Sequence, residues 1–275
     1  MLVIDEAGQL ALGDALACAT AARNVVLLGD PLQLAQVSQG SHPICSGASV
    51  LEHLLGEEHT VPPDRGVFLD VSYRMHPAIC GFISHAVYDG RLTAAASTAR
   101  HRVSAPGPLA GAGLRYLPVA HTGNGRESGE EAERIADAVA ELLRGEVTPP
   151  AGPPRPLRAA DILIVTPYNA QRRRIAQTLA QRGLPPLAVG TVDKFQGQEA
   201  AVVFYSMATS SSDDLPRDLS FLFEKNRFNV AVSRAQALAV LVSSPRLLEV
   251  RCTTPAEMEL ASLLCAYVER SEVVA

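Results

Sequence analysis

Lysine is almost absent: among 24 basic side chains in 275 residues, only Lys194 and Lys225 are lysines. They follow Asp193 and Glu224, so neither belongs to a Gly-Lys-Ser/Thr sequence. A P-loop needs that sequence, because backbone N–H groups cradle the phosphates while the Lys reaches the β/γ oxygens. The five cysteines, Cys18, Cys45, Cys80, Cys252 and Cys265, include no Cys-x-x-Cys pair, which argues against a zinc site or a disulfide framework and for free thiols. No apolar run approaches the roughly 18–20 residues of a membrane span, and no basic-then-apolar signal opens the chain. A cytoplasmic protein without a membrane partner is expected. Excess positive charge is also missing: the net charge of -5 excludes a broad basic coat and leaves room only for a local nucleic-acid contact. The dominance of Arg over Lys, with abundant Ala and Pro, reflects a GC-rich and by expectation bacterial genome.

What is present is a core. Hydrophobic residues make up 47% of the chain and the mean hydropathy is +0.11, enough for one large domain or two small ones. Short apolar runs end in polar or small residues at Leu2–Ile4, Val25–Leu28, Ile162–Val165, Val202–Tyr205 and Leu238–Val242. Runs of this kind mark strands buried on both faces. Helical patterns at 130–143 and 171–181 alternate with them, which predicts an α/β fold with a parallel sheet. Ligands of such sheets sit beyond the carboxyl ends of the strands, so the motif residues are expected to converge on that one edge. The stretches 94–113 and 145–158, the latter with five prolines and two glycines, read as surface loops. A break near 57–66 separates a first domain, residues 1–58, from a second, residues 65–270, with the strand pattern restarting at Val67–Val71.

Two carboxylates, Asp5 and Glu6, follow the first apolar run in Val3-Ile4-Asp5-Glu6-Ala7-Gly8-Gln9. One suits Mg²⁺ bound through water and the other suits orienting or deprotonating an attacking water, although the pair equally suits a helix N-terminus. One βα unit later comes Leu28-Gly29-Asp30-Pro31-Leu32-Gln33-Leu34, in which Gln33 can donate an amide N–H to a γ-phosphate or simply complete a Gly-Asp-Pro turn. Arginines recur in Ser72-Tyr73-Arg74-Met75-His76-Pro77 and in Asn226-Arg227-Phe228-Asn229-Val230-Ala231-Val232-Ser233-Arg234-Ala235.

Together these four stretches are similar to motifs II, III, IV and VI of superfamily 1 helicases, in the group of the nonsense-mediated-decay helicase. Thr191-Val192-Asp193-Lys194-Phe195-Gln196-Gly197-Gln198-Glu199 resembles motif V, and Thr166-Pro167-Tyr168-Asn169-Ala170-Gln171 resembles the TPYxxQ strand end. The resemblance covers residues 1 to about 250 and implies a RecA-like P-loop NTPase fold, with the second RecA-like domain nearly complete and a remnant of the first. It implies ATP and Mg²⁺ as cofactors, with Asp5 on the metal, Glu6 as catalytic base and Gln33 as γ-phosphate sensor. Arg74 and Arg234 would be arginine fingers. Tyr73 would stack on adenine, with Gln171, Gly197 and Glu199 completing the nucleotide contacts. Thr166, Thr191, Ser206 and Thr209 would line a track for single-stranded DNA or RNA.

The motif series opens at motif II, so the resemblance also implies a missing N-terminal P-loop lobe as partner, and similar cores can sit behind a RecB-like nuclease domain. This chain alone is then expected to be inactive as an ATPase. A non-enzymatic nucleic-acid-binding or regulatory module and an inactive truncated product stay open as alternatives. The pattern departs from the family at Ala35, where Pro is usual, and at Gln236, where Lys or Arg is usual. Other residues have blander readings: Arg227 as a salt-bridge partner, His76 as a packed, hydrogen-bonded histidine, Tyr73 as core filling, and Arg172 to Arg174 as a solvated helix face.

Overall fold

The protein is described from a computed structural model that covers residues 1–34, 47–56, 58, 60–195, 197–215 and 219–274. Ala35, Cys45 and Gln196 lie outside the described residues. The centre is a six-stranded sheet in the order Ala188–Gly190, Ile162–Val165, Ala200–Ser206, Ala235–Ser243, Gly113–Pro118, Glu272–Val273, and all neighbours are parallel. The α/β parallel-sheet class read from the apolar runs is the one observed.

Side-chain alternation divides the core into two layers. Val203, Tyr205, Ala239 and Leu241 face the helices Pro77–Val87, Lys225–Ser233 and Pro255–Glu269. Val202, Phe204, Leu238 and Val240 face Gly129–Leu142 and Asn169–Gln181. Helices on both faces explain why these strands read as continuous apolar runs. The Pro77–Val87 helix begins as its sequence dictates, with Pro77 in the first turn and the His76 ring accepting the Ala78 N–H at 3.2 Å. His76 is thus a capping residue.

Three expectations need correction. Residues 94–113 are not a solvated loop: Thr98, His101, Val103 and Leu109 are buried, and the strand Arg102–Ser104 pairs antiparallel with Glu146–Thr148. The proline-rich 145–158 stretch supplies that partner and a third strand, Arg155–Pro156, at a sheet edge where Pro needs to donate no hydrogen bond. The restart at Val67–Val71 yields only a two-residue strand, Val71–Ser72, leaving Val67 83% and Leu69 80% exposed.

The N-terminal segment is thin by comparison. Leu2–Ile4 and Val25–Leu27 form a two-stranded parallel sheet, over which, among the described residues, Ala7, Ala15 and Val50 make a small buried cluster, while Val3, Val26 and Leu28 stay exposed. Two parallel strands with so little buried apolar surface open cheaply. Amide exchange is therefore expected to be fast at 2–28 and slow in Ala200–Ser206 and Ala235–Ser243. Equal protection in the two regions would contradict this.

Candidate functional site

The motif residues do not converge on one edge of the sheet, contrary to expectation; they form two groups at opposite edges. Arg234 immediately precedes the strand Ala235–Ser243, and Glu199 immediately precedes Ala200–Ser206. Both therefore sit at the amino edge. The helix Lys225–Ser233 and the turn Val192–Phe195 return the chain there from the opposite edge.

At the amino edge Arg74 donates from Nε to Glu199 Oε2 at 2.5 Å and from Nη1 to the Ser233 carbonyl at 3.2 Å. Glu199 also accepts the Gln236 side-chain N–H at 2.8 Å, so the residue that departs from the family pattern takes part in the site. Partial burial pushes Glu199 up, but the hydrogen bond and charge of Arg74, with Gln236, hold its carboxyl below the ordinary value. Arg234 is 3% exposed. It donates from Nη2 to Gln33 Oε1 at 3.1 Å and from Nη1 to the Gln198 carbonyl at 3.5 Å, and its buried Nε has no hydrogen-bond partner. Burial and the charge of neighbouring Arg74 pull Arg234 below its ordinary value, opposed by Glu6 and Glu199.

The N-terminal segment meets this edge through the turn after Val25–Leu27. Gly29 lies so close to the backbone of Ala7 and Gly8 that a Cβ there would come within 2.8 Å of the Ala7 nitrogen. This approach lets Ala7 N–H bond the Leu28 carbonyl at 2.8 Å and sets the Asp5-Glu6 turn beside the Asp30 turn. Asp5 Oδ1 accepts the Glu6 N–H at 2.9 Å, and Glu6 takes a left-handed φ of 53°, rare for a residue with a Cβ. Tyr73 is 76% exposed, so its ring is open to stack on a ligand and is not core filling. Gly197 has φ 77° in the turn leading to Glu199. Arg227 is a salt-bridge partner, with Nε 2.6 Å from Glu224 and Nη1 3.6 Å from Asp193.

The carboxyl edge is different in kind. Thr166, Ser206 and Thr209 are fully buried there, and Gln171 lies with them and not with the amino-edge group. Gln171 accepts the Ser128 N–H at 2.7 Å and donates to the Ser128 carbonyl at 3.2 Å and to Ser206 Oγ at 3.0 Å. Ser206 donates to Glu131 Oε2 at 2.6 Å, and Thr209 to the Gly125 carbonyl at 2.7 Å. These hydroxyls are engaged inside the protein and do not line an open track; Thr191, at the end of Ala188–Gly190, is half-buried. Arg174 reaches Glu127 at 3.6 Å across the helix surface, as a solvated face would.

Two residues of this edge escaped the motif reading. Glu131 is fully buried, accepting from His121 Nε2 at 3.0 Å, Ser206, and the Ala208 N–H at 3.0 Å. His121 Nδ1 lies 2.7 Å from Ser210 Oγ, which also accepts the Asn124 N–H at 2.9 Å. The signal was there: Glu131 lies four residues before Ile135 and eight before Val139, on the apolar stripe of its helix, three residues after the capping Ser128.

Fold and motif order together define a helicase-like α/β domain. The chain belongs to the AAA_12 family, described as an AAA domain and forming the C-terminal part of superfamily 1 helicases; the family's model matches residues 47–246. It is 32% identical over 91% of its length to the human 3'-5' exoribonuclease HELZ2, of which that match spans 9%. It is 31% identical over 89% of its length to the rat DNA-binding protein SMUBP-2, spanning 25% of it. With a regulator of nonsense transcripts 1 homolog of Neurospora crassa it shares 29% over 82% of its length, and 21% of that protein. A solved complex of the Arterivirus nonstructural protein 10 helicase with DNA is similar at 17% identity and a TM-score of 0.43, over 89% of this chain and 39% of that one. The chain thus spans about a tenth to a quarter of the length of these curated relatives. All three are from eukaryotes and lend nothing to the bacterial source suggested by composition. Among the described residues no helix is long and apolar enough to cross a membrane.

Proposed function

We propose that the chain is the C-terminal portion of an ATP-dependent DNA or RNA helicase, its amino-edge group facing the triphosphate of a nucleotide held by a separate P-loop lobe. The observation that carries this reading is the pair Arg74 and Arg234: two guanidinium groups close enough to repel, one of them buried with its Nε unpartnered. Glu199 answers the charge of Arg74, but Arg234 hydrogen-bonds only neutral oxygens, an arrangement that is costly unless a further anion completes it. The donor set fits polyphosphate, since planar guanidinium forks match phosphate oxygens. Gln33 would contact the terminal phosphate, exposed Tyr73 would stack on the base, and Glu199 would hold Arg74 in place. Asp5 fits Mg²⁺, which takes one or two carboxylates and fills its remaining positions with water and phosphate. The metal would neutralise phosphate charge, with Glu6 orienting the attacking water. Single-stranded nucleic acid is the proposed second ligand, in line with the DNA-binding name of SMUBP-2.

The test is discrimination between nucleotides. Fluorescent mant-ATP and mant-ADP titrated with Mg²⁺ into the chain paired with a lobe that carries a P-loop should show at least about a tenfold preference for the triphosphate, since a charged hydrogen bond to the γ-phosphate contributes about 1.5–3 kcal/mol. Arg234→Ala should abolish that preference. Equal wild-type affinities for the two nucleotides would overturn the reading.

A further inference from the structure

The turn that carries Gln33 is held by side chains to which the motifs assign no task. Tyr88, directly after the helix Pro77–Val87, donates its hydroxyl hydrogen to Asp30 Oδ2 and accepts Asn229 Nδ2–H at 3.0 Å. Asn229 Nδ2 also donates to the Leu32 carbonyl at 2.8 Å. Asp30 accepts the Leu32 N–H on Oδ1 and the Gln33 Nε2–H on Oδ2, each at 3.0 Å. Gln33 Oε1 then accepts from Arg234, as described above. The result is a continuous chain of contacts, Asn229 to Tyr88 to Asp30 to Gln33 to Arg234, whose two ends lie on the same helix and its exit.

The orientation of the Gln33 amide follows from this chain. Reversed, it would set its oxygen against the Asp30 carboxylate and its N–H groups against a guanidinium, two repulsive contacts in place of two attractive ones. The amide has two N–H bonds, of which Asp30 takes one. Burial, followed by the charge and hydrogen bond of Asp30, raises the Tyr88 phenol far above its ordinary value, so it remains a donor.

We propose that Tyr88 and Asn229 are positioning residues that lock the Asp30–Gln33 turn to Arg234, so that the two γ-phosphate contacts move as one unit. The role in nucleotide sensing rests on the function proposed above; the mechanical coupling does not. Tyr88 acts on Gln33 only through Asp30, and Asn229 acts through both the Leu32 carbonyl and the Tyr88 hydroxyl. Loss of the phenol hydroxyl leaves one Asp30 oxygen with a single partner and lets the turn swing away from Arg234.

The decisive variant is Tyr88→Phe, because it keeps the ring and its 6.2 Å contact with Phe68 while removing only the hydroxyl. Amide exchange of the ligand-free 275-residue chain is expected to accelerate at least about tenfold at Leu32 and Gln33, with Ala200–Ser206 and Ala235–Ser243 unchanged. Asn229→Ala should shift the same two amides, and the double variant should add less than the sum of the singles, since both act in one network. A purely packing role for Tyr88 predicts no change in Tyr88→Phe, and that result would overturn the coupling. A second readout separates the two claims. Tyr88→Phe should lose most of the mant-ATP over mant-ADP preference while keeping mant-ADP affinity. A wild-type chain that shows no triphosphate preference when paired with the P-loop lobe overturns the functional reading, whereas the exchange comparison on the chain alone judges the coupling by itself.

Discussion

Replacing Arg234 with alanine is expected to lower ATP hydrolysis by about 10³-fold or more once the chain is paired with a lobe that carries a P-loop, the scale of an arginine finger acting on developing phosphoryl charge. The 275-residue chain alone should show no turnover above a buffer blank, because it contains no Gly-Lys-Ser/Thr sequence. Arg234 is expected to outrank Arg74. The Arg74 guanidinium already shares its charge with Glu199 and its Nη1 with the Ser233 carbonyl, whereas Arg234 is bound to neutral oxygens and keeps an unpartnered Nε. Arg234→Lys should recover little, since one ammonium cannot serve Gln33, the Gln198 carbonyl and a phosphate with the geometry of a fork. Steady-state hydrolysis of wild type, Arg74→Ala, Arg234→Ala and Arg234→Lys, with thermal unfolding to check the fold, decides the matter. An Arg234→Ala rate within tenfold of wild type would remove the finger assignment.

How far the sequence disclosed all this depends on the range of the interaction concerned. Ile162–Val165 was legible to the residue, because a strand buried on both faces must be apolar throughout. Arg74, Glu199 and Arg234 were legible through their motifs, and the structure does join them. Their place at the amino edge was not. It depends on Lys225–Ser233 running antiparallel to the strands, a matter of tertiary path that no local pattern encodes. The short strands Arg102–Ser104 and Glu146–Thr148 were hidden for a related reason: two or three residues with one buried side chain, Val103 or Val147, carry almost no periodicity. At the carboxyl edge the motifs pointed to Thr166, Ser206 and Thr209 as ligand contacts; all three are buried, and Ser206 instead bonds a buried carboxylate, Glu131. Glu131 passed as one more acidic residue in a helix's first turn, where Glu is favoured by the dipole whether or not it is buried.

That carboxylate is the position whose removal is expected to cost most in stability. Glu131→Ala would strand His121 Nε2, the Ser206 hydroxyl and the Ala208 N–H, all in the interior. Leaving a buried donor unsatisfied costs about 1–3 kcal/mol, so three together should destabilise the fold by about 3 kcal/mol or more even after water enters the space. The local consequence is sharper than the global one. Ala208 sits at φ 64°, a left-handed conformation that a residue with a Cβ adopts only when its surroundings impose it, and the Glu131 bond to its N–H is one such constraint. Without that bond the 206–211 turn should relax, and the Asn124 and Gly125 contacts with Ser210 and Thr209 should loosen with it. Glu131→Gln should fall between wild type and Ala, because its one remaining acceptor oxygen can satisfy some of the three donors while its NH₂ opposes another. Urea unfolding of the three proteins gives the comparison, with the slope checked for constancy. A loss in Glu131→Ala below about 0.5 kcal/mol, within the range of ordinary surface substitutions, would mean that the network is not the support of this edge.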